Sequence, residues 1–168
     1  GALTFALVPT DVVNNAALLS GACDRHQAVL LRMCERVQPG TLEKLEAFAR
    51  GGGIVLIDHG SLAIDDEHHT PLDLRPLAGV LVGRVLTNGL AVRAGDLLPD
   101  GFTTRPRLFD GHTGRAVELS GAKILMTYDD GTPAVTVHEL GKGRVYYFAA
   151  EWPEDGFQPF LTALLGRN

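Results

Sequence analysis

Two kinds of hydrophobic pattern alternate along the first half of the chain. Gln27–Arg32 (QAVLLR) and Gly53–Asp58 (GIVLID) hold unbroken apolar runs between polar residues, as expected of strands covered on both faces. Between them, Thr41–Gly53 (TLEKLEAFARGGG) sets Leu42, Leu45, Phe48 and Ala49 on one stripe at helical spacing. Pro39 and Gly40 mark the preceding turn, and Thr41 is the expected N-cap. Glu43 and Arg50 suit the two ends of the helix dipole. Gly51–Gly53 close the helix, with one of them expected in the left-handed conformation. Strand, helix and strand with short connections form a βαβ unit, so residues 27–32 and 54–57 are predicted to run parallel.

The remaining pattern is uneven. Leu3–Val13 reads as a strand leading into a turn at Pro9, and Asn14–Leu19 as a short helical turn capped by Asn. Asp58–Asp73 is polar and loop-like, and Pro71–Leu81 contains a short helix ending at Gly79. Residues 82–120 follow no single period. Ala122–Tyr128, Pro133–Glu139 and Arg144–Ala150 are three strands joined by DDGT and LGKG, an antiparallel meander. Alternation sends Tyr146 and Phe148 to one face and Tyr147 to the other. Phe157–Gly166 is a C-terminal amphipathic helix. The order predicts a single α/β domain over residues 1–168, a mostly parallel sheet covered by helices with an antiparallel C-terminal meander.

Composition narrows the function classes. The 168 residues are 45% hydrophobic and 21% charged, ordinary for a globular chain able to bury a core. A net charge of -5 with scattered basic residues argues against nucleic acid. No apolar run approaches the ~20 residues needed to cross a bilayer. No secretory leader is visible, so a cytoplasmic location is expected. Cys23 and Cys34 flank a strand and form no CxxC pair, which removes the thiol-rich zinc frameworks.

Candidate chemistry centres on Asp58, His59 and the run Ala63–Thr70 (AIDDEHHT), which holds Asp65, Asp66, Glu67, His68 and His69. Asp58 and His59 end a parallel strand, where open α/β sheets bind ligands. The acids and imidazoles could supply zinc or manganese ligands. Their spacing does not pre-organise such a site: His68 and His69 are adjacent, and the HExxH arrangement is absent. The run resembles the acid–histidine stretch of zinc-dependent sugar deacetylases, but Ala63 and Ile64 stand where that family has Pro-His. No metal is therefore assigned, and a solvated or subunit-contacting loop is the preferred reading.

Nucleophiles fare no better. His59–Ala63 (HGSLA) lacks the second glycine of a nucleophile elbow, and Cys34 sits in a segment without elbow glycines. Gly51–Gly53 follow a helix rather than precede one, the reverse of a phosphate loop. Tyr146, Tyr147, Phe148 and Trp152 are first a core cluster. The sharper alternative is a sugar-stacking platform using Trp152.

Taken in series, four segments resemble a known family. TLEKLEAFARGGGIVLI, GSLAIDDEHHTP, LRPLAGVLV and AKILMTYDDGTPAVTVHELGKGRVYYFA follow the order of the β-galactosidase trimerisation domain, a glutamine-amidotransferase-like domain attached to glycoside hydrolases. Asp66 and Glu67 match the Asp-Glu pair of its loop. The resemblance implies a three-layer flavodoxin-like fold without catalytic residues or cofactor, because no cysteine stands at the amidotransferase elbow. It implies a part in assembly, as a homo-oligomer or against a glycoside hydrolase catalytic domain, with a possible carbohydrate at a cleft edge. That family has a strand and helix before the segment matching Pro9–Val13. The chain is thus expected either to be trimmed from a larger multidomain protein or to use residues 3–9 as that strand. Two alternatives stay open: a small metal-dependent or amidotransferase-like hydrolase using residues 58–69, and a ligand-binding module at the strand C-termini.

Overall fold

The computed structural model describes residues 5–6, 28–87, 90–94, 107–109 and 113–151. The strands β1 (Phe5–Ala6), β2 (Ala28–Leu31) and β4 (Ile54–Asp58) run parallel in that spatial order. Every residue of β4 is buried, as its unbroken apolar run requires at the centre of a parallel sheet. Strand β12 (Gly143–Phe148) pairs parallel to β4 on one side and antiparallel to β11 (Pro133–Leu140) on the other. It is the seam of a mixed sheet. Beyond β11 follow β10 (Lys123–Tyr128), β7 (Leu90–Ala94) and β8 (Arg107–Phe109), all antiparallel, completing eight strands.

The predicted helix is α1 (Thr41–Arg50), and it buries Leu45, Phe48 and Ala49 as expected. One detail is corrected. Gly40, in the left-handed conformation at φ 89°, holds the N-cap position, and Thr41 is already helical. The Thr41 hydroxyl donates back to the Gln38 carbonyl at 2.7 Å, which stabilises the turn instead of the helix start. At the other end Gly52 takes the left-handed conformation, and Gly51–Gly53 return the chain directly into β4. A second short helix, α2 (Arg75–Ala78), ends at Gly79 with φ 65°, as predicted.

Two core clusters lie on opposite faces of the sheet. Val29, Leu31, Val55, Ile57, Val145 and Tyr147 meet α1 and α2. Ala28, Leu56, Tyr146 and Phe148 join Leu125, Met126 and Tyr128 on the other face. The alternation expected for Tyr146, Tyr147 and Phe148 is therefore present, and all three are core side chains.

The unread stretch 82–120 resolves in part into a separate ribbon. Strand β6 (Val80–Thr87) pairs antiparallel with β9 (Thr113–Leu119), with a register shift between Val82 and Val85. The polar segment after β4 is also more regular than expected. Strand β5 (Ile64–Asp65) pairs parallel with β3 (Arg36–Val37). Its backbone is held further by Leu62 N to Cys34 O and Asp66 N to Val37 O, both at 2.8 Å. The expected elements at residues 14–19 and 157–166 lie outside the described residues. No helix among the described residues is long and apolar enough to cross a membrane.

Candidate functional site at the strand C-termini

Strands β2 and β4 end side by side, and Asp58 closes the gap between them. Its Oδ2 accepts the backbone N–H of Met33 at 2.8 Å. Its Oδ1 accepts the Gly60 N–H at 3.1 Å and lies 2.6 Å from the Ser61 hydroxyl oxygen. Ser61 Oγ also accepts the Cys34 N–H at 3.0 Å and lies 3.1 Å from the Leu31 carbonyl. A buried carboxylate that gathers this many donors is a structural bracket. It holds Met33 at φ 54° with its side chain 78% exposed. Met33, Leu62 and His69 are the non-glycine residues with positive φ among those described, and all fall in the segments that leave the strand ends.

The acid–histidine run points elsewhere. Asp65 Oδ1 accepts the N–H groups of Glu67 at 2.9 Å and His68 at 2.8 Å, and lies 3.1 Å from His68 Nδ1. These bonds, the His68 N–H first among them, hold the Asp65 carboxyl below the ordinary carboxylate range. Asp65 thus folds its own turn. Asp66, Glu67, His68 and His69 are exposed around it, with His69 Nδ1 3.4 Å from Arg36 Nη1. His59 turns the other way, its Nε2 3.3 Å from Thr113 Oγ1 on β9. The residues singled out in the sequence therefore divide into an inward pair, Asp58 and His59, and an outward turn, Asp65–His69. Among the described residues no group of three or more His, Cys, Asp or Glu is placed to hold a metal ion. Trp152 lies outside the described residues.

Neither candidate nucleophile is activated. Burial, followed by the Asp58 charge, pushes the Cys34 thiol above its usual range, which disfavours the thiolate. Ser61 is buried, and its hydroxyl is taken up by Asp58 and backbone groups.

Behind the loop lies a cavity of about 120 Å³, walled by His59, Leu72, Val82, Arg115 and Tyr147 among others. Arg115 and Thr113 belong to the stretch with no readable period, so nothing in the sequence pattern marked them. Alternation placed Tyr147 on a face without revealing that its hydroxyl reaches the strand ends, 3.5 Å from the His59 carbonyl.

A mixed sheet with a bracketed loop at its strand ends defines a domain of the α/β class. The chain matches the family described as the β-galactosidase trimerisation domain over residues 2–168, and it belongs to that family. It is similar to β-galactosidase BglY of Alicyclobacillus acidocaldarius, at 33% identity over 89% of this chain and 23% of the relative. Among solved structures it resembles the cold-adapted β-galactosidase of Rahnella sp. R3, with 25% identity, a TM-score of 0.70, and 84% of this chain against 22% of that one. Gan42B, a GH42 β-galactosidase of G. stearothermophilus, shares the fold with a TM-score of 0.72 at 21% identity, covering 86% of this chain and 22% of that one. The chain spans less than a quarter of the length of each of these relatives.

Proposed function

We propose that this chain is a non-catalytic assembly domain, a single unit spanning residues 1–168 of a larger multidomain β-galactosidase-like glycoside hydrolase. One observation carries the reading: the family match runs over residues 2–168, while the relatives are more than four times as long. The unactivated Cys34 and Ser61 support it, since the chemistry would then belong to another domain. The parallel half of the sheet with α1 between β2 and β4 is read as the flavodoxin-like part of a three-layer arrangement. The outward turn Asp65–His69 is read as an interface or cleft-edge loop, where a carbohydrate held by a neighbouring domain could be approached. Nucleic acid and membrane have no part in this reading. The free thiol of Cys34 suits a reducing, cytoplasmic setting.

The partner in assembly is a second copy of the same chain, and its contact surface is the β6–β9 ribbon. Leu81, Val85 and Leu119 are exposed there, 43%, 54% and 45% respectively, on one two-stranded ribbon outside the main sheet. Apolar exposure on both faces of a two-stranded ribbon suits an association surface. Exposed Arg84 and Glu118 flank it with no ion-pair partner among the described residues. Sedimentation of the chain tests the proposal. Self-association that Leu81→Asp weakens at least tenfold is expected. A wild-type chain that stays monomeric at high concentration would remove the assembly role for this chain alone.

A further inference from the structure

The cavity between the strand-end loop and the β6–β9 ribbon has a mixed lining. It includes the apolar Leu72, Leu74 and Val82. It also includes Arg115, Tyr147 and His59. Arg115 is half-buried on β9. Its one side-chain hydrogen bond among the described residues is a long one, from Nη1 to the Gly83 carbonyl at 3.4 Å. No described carboxylate forms an ion pair with it. Most of its N–H donors are therefore left for a ligand, and a planar guanidinium at a cavity wall suits an anion.

The acids close to this wall are engaged otherwise. Asp58 gathers the N–H groups of Met33 and Gly60, and Glu151 accepts the Thr113 N–H at 3.1 Å. Tyr147 is deeply buried, and burial holds its hydroxyl protonated, so it remains a donor. Its bond to the His59 carbonyl, at 3.5 Å, is at the limit of hydrogen-bond length. The wall thus presents a flat cationic fork and a phenolic O–H that are both weakly used. Leu72, Leu74 and Val82 add apolar lining, and a space of about 120 Å³ holds only a few non-hydrogen atoms.

We propose that this cavity is a binding site for a carboxylate bearing a short apolar stem, with Arg115 as the charged anchor and Tyr147 as the second donor. The planar guanidinium matches a carboxylate through paired N–H donors. The hydroxyl adds a third contact, and Leu72, Leu74 and Val82 take the stem. The carboxylate has two possible sources of the same chemistry: a free short-chain acid, or an Asp or Glu side chain from another polypeptide surface inserted into the cavity. The site's lining residues are distinct from Leu81, Arg84 and Glu118, the exposed ribbon residues proposed for assembly.

The test is titration of the full chain with sodium acetate and with propionate, followed by backbone and side-chain NMR at constant ionic strength. Acetamide and sodium chloride serve as controls. Saturable shifts centred on His59, Arg115 and Tyr147 are expected with the acids and not with the controls. Arg115→Gln should weaken the acetate affinity at least tenfold. Tyr147→Phe, which removes only the hydroxyl, should weaken it several-fold and guards against a poorly folded Arg115 variant. If the natural occupant is a side chain, saturating acetate will also lower self-association of the wild type and leave that of Arg115→Gln unaffected. If it is a free acid, sedimentation will not respond to acetate. Linear, unsaturable shifts, or equal responses to acetate and chloride, overturn the proposal. Loss of self-association in Leu81→Asp with acetate binding intact would show the two sites to be separate.

Discussion

At the scale of single residues, Asp58 and Asp65 show how an acid's role depends on the donors around it. Asp58 is 7% exposed and accepts from both strand-end segments. Asn in its place would turn an N–H group toward Met33 N or Gly60 N, so a buried donor would lose its acceptor. We expect Asp58→Asn to cost about 1–3 kcal/mol, the usual penalty for an unsatisfied buried polar group. Ser61→Ala should cost less, and urea unfolding of both variants checks the order. Asp65 is a turn-former instead. Its folded pKa lies below the unfolded value, chiefly through the His68 N–H. Its contribution is therefore complete above the ordinary carboxylate range and is lost as pH falls through the folded value. The amide resonances of Glu67 and His68 should move together toward unstructured positions on acidification, ending below pH ~4. In Asp65→Asn the same resonances should show no such transition.

At the scale of elements, legibility followed the clarity of the periodic signal. The β2–α1–β4 unit was readable because two continuous apolar runs enclose one helical stripe, and the parallel register Ala28–Ile54 through Leu31–Ile57 follows from that. The meander β10–β11–β12 was readable from alternation and two turn sequences. What the pattern could not show was that β12 would also pair parallel with β4, because pairing partners leave no mark in one strand's own sequence. The β6–β9 ribbon was hidden for a different reason. Its strands are far apart in the chain, and the irregularity between Val82 and Val85 breaks the alternation. The cavity went unseen with it, because Arg115 comes from that ribbon. Residues 58–73 read as a solvated loop because their side chains are polar, yet their backbone bonds to Cys34, Glu35 and Val37 build a second small sheet. Where α1 meets β12 the approach is close enough to make a sharp prediction. A Cβ on Gly143 would overlap the carbonyl oxygens of Ala49 and Gly53, both backbone atoms that cannot turn aside. Gly143→Ala should cost about 1–3 kcal/mol or more, as overpacking does. Gly131 has φ 87° but open space around it. Gly131→Asn should cost less, about 1 kcal/mol, because Asn adopts the left-handed conformation more readily than other side chains. Denaturant midpoints of the two variants decide.

At the scale of the whole molecule, the ribbon gives Val80 and Val117 to the buried core and keeps Leu81, Val85 and Leu119 exposed. Cyclic assemblies of three need a heterologous contact, in which two different patches of one copy meet the opposite patches of its neighbours. On the ribbon, the exposed Arg84 of β6 and Glu118 of β9 would be the charges to meet in such a contact. A ring of copies would set β6 of one ribbon against β9 of the next, covering Leu81, Val85 and Leu119 and joining Arg84 to Glu118 across each contact. Rim charge pairs of this sort fix register more than they add affinity. Arg84→Glu or Glu118→Arg alone would put like charges together and should lower the association constant about tenfold. The two changes in one chain should bring it back toward wild type. Sedimentation equilibrium at low and high salt measures both effects, and the losses should shrink as salt screens the pair. Single variants that associate as well as wild type would place the contact elsewhere. Equal losses in the double variant would mean that the two residues act in the assembly separately rather than on each other.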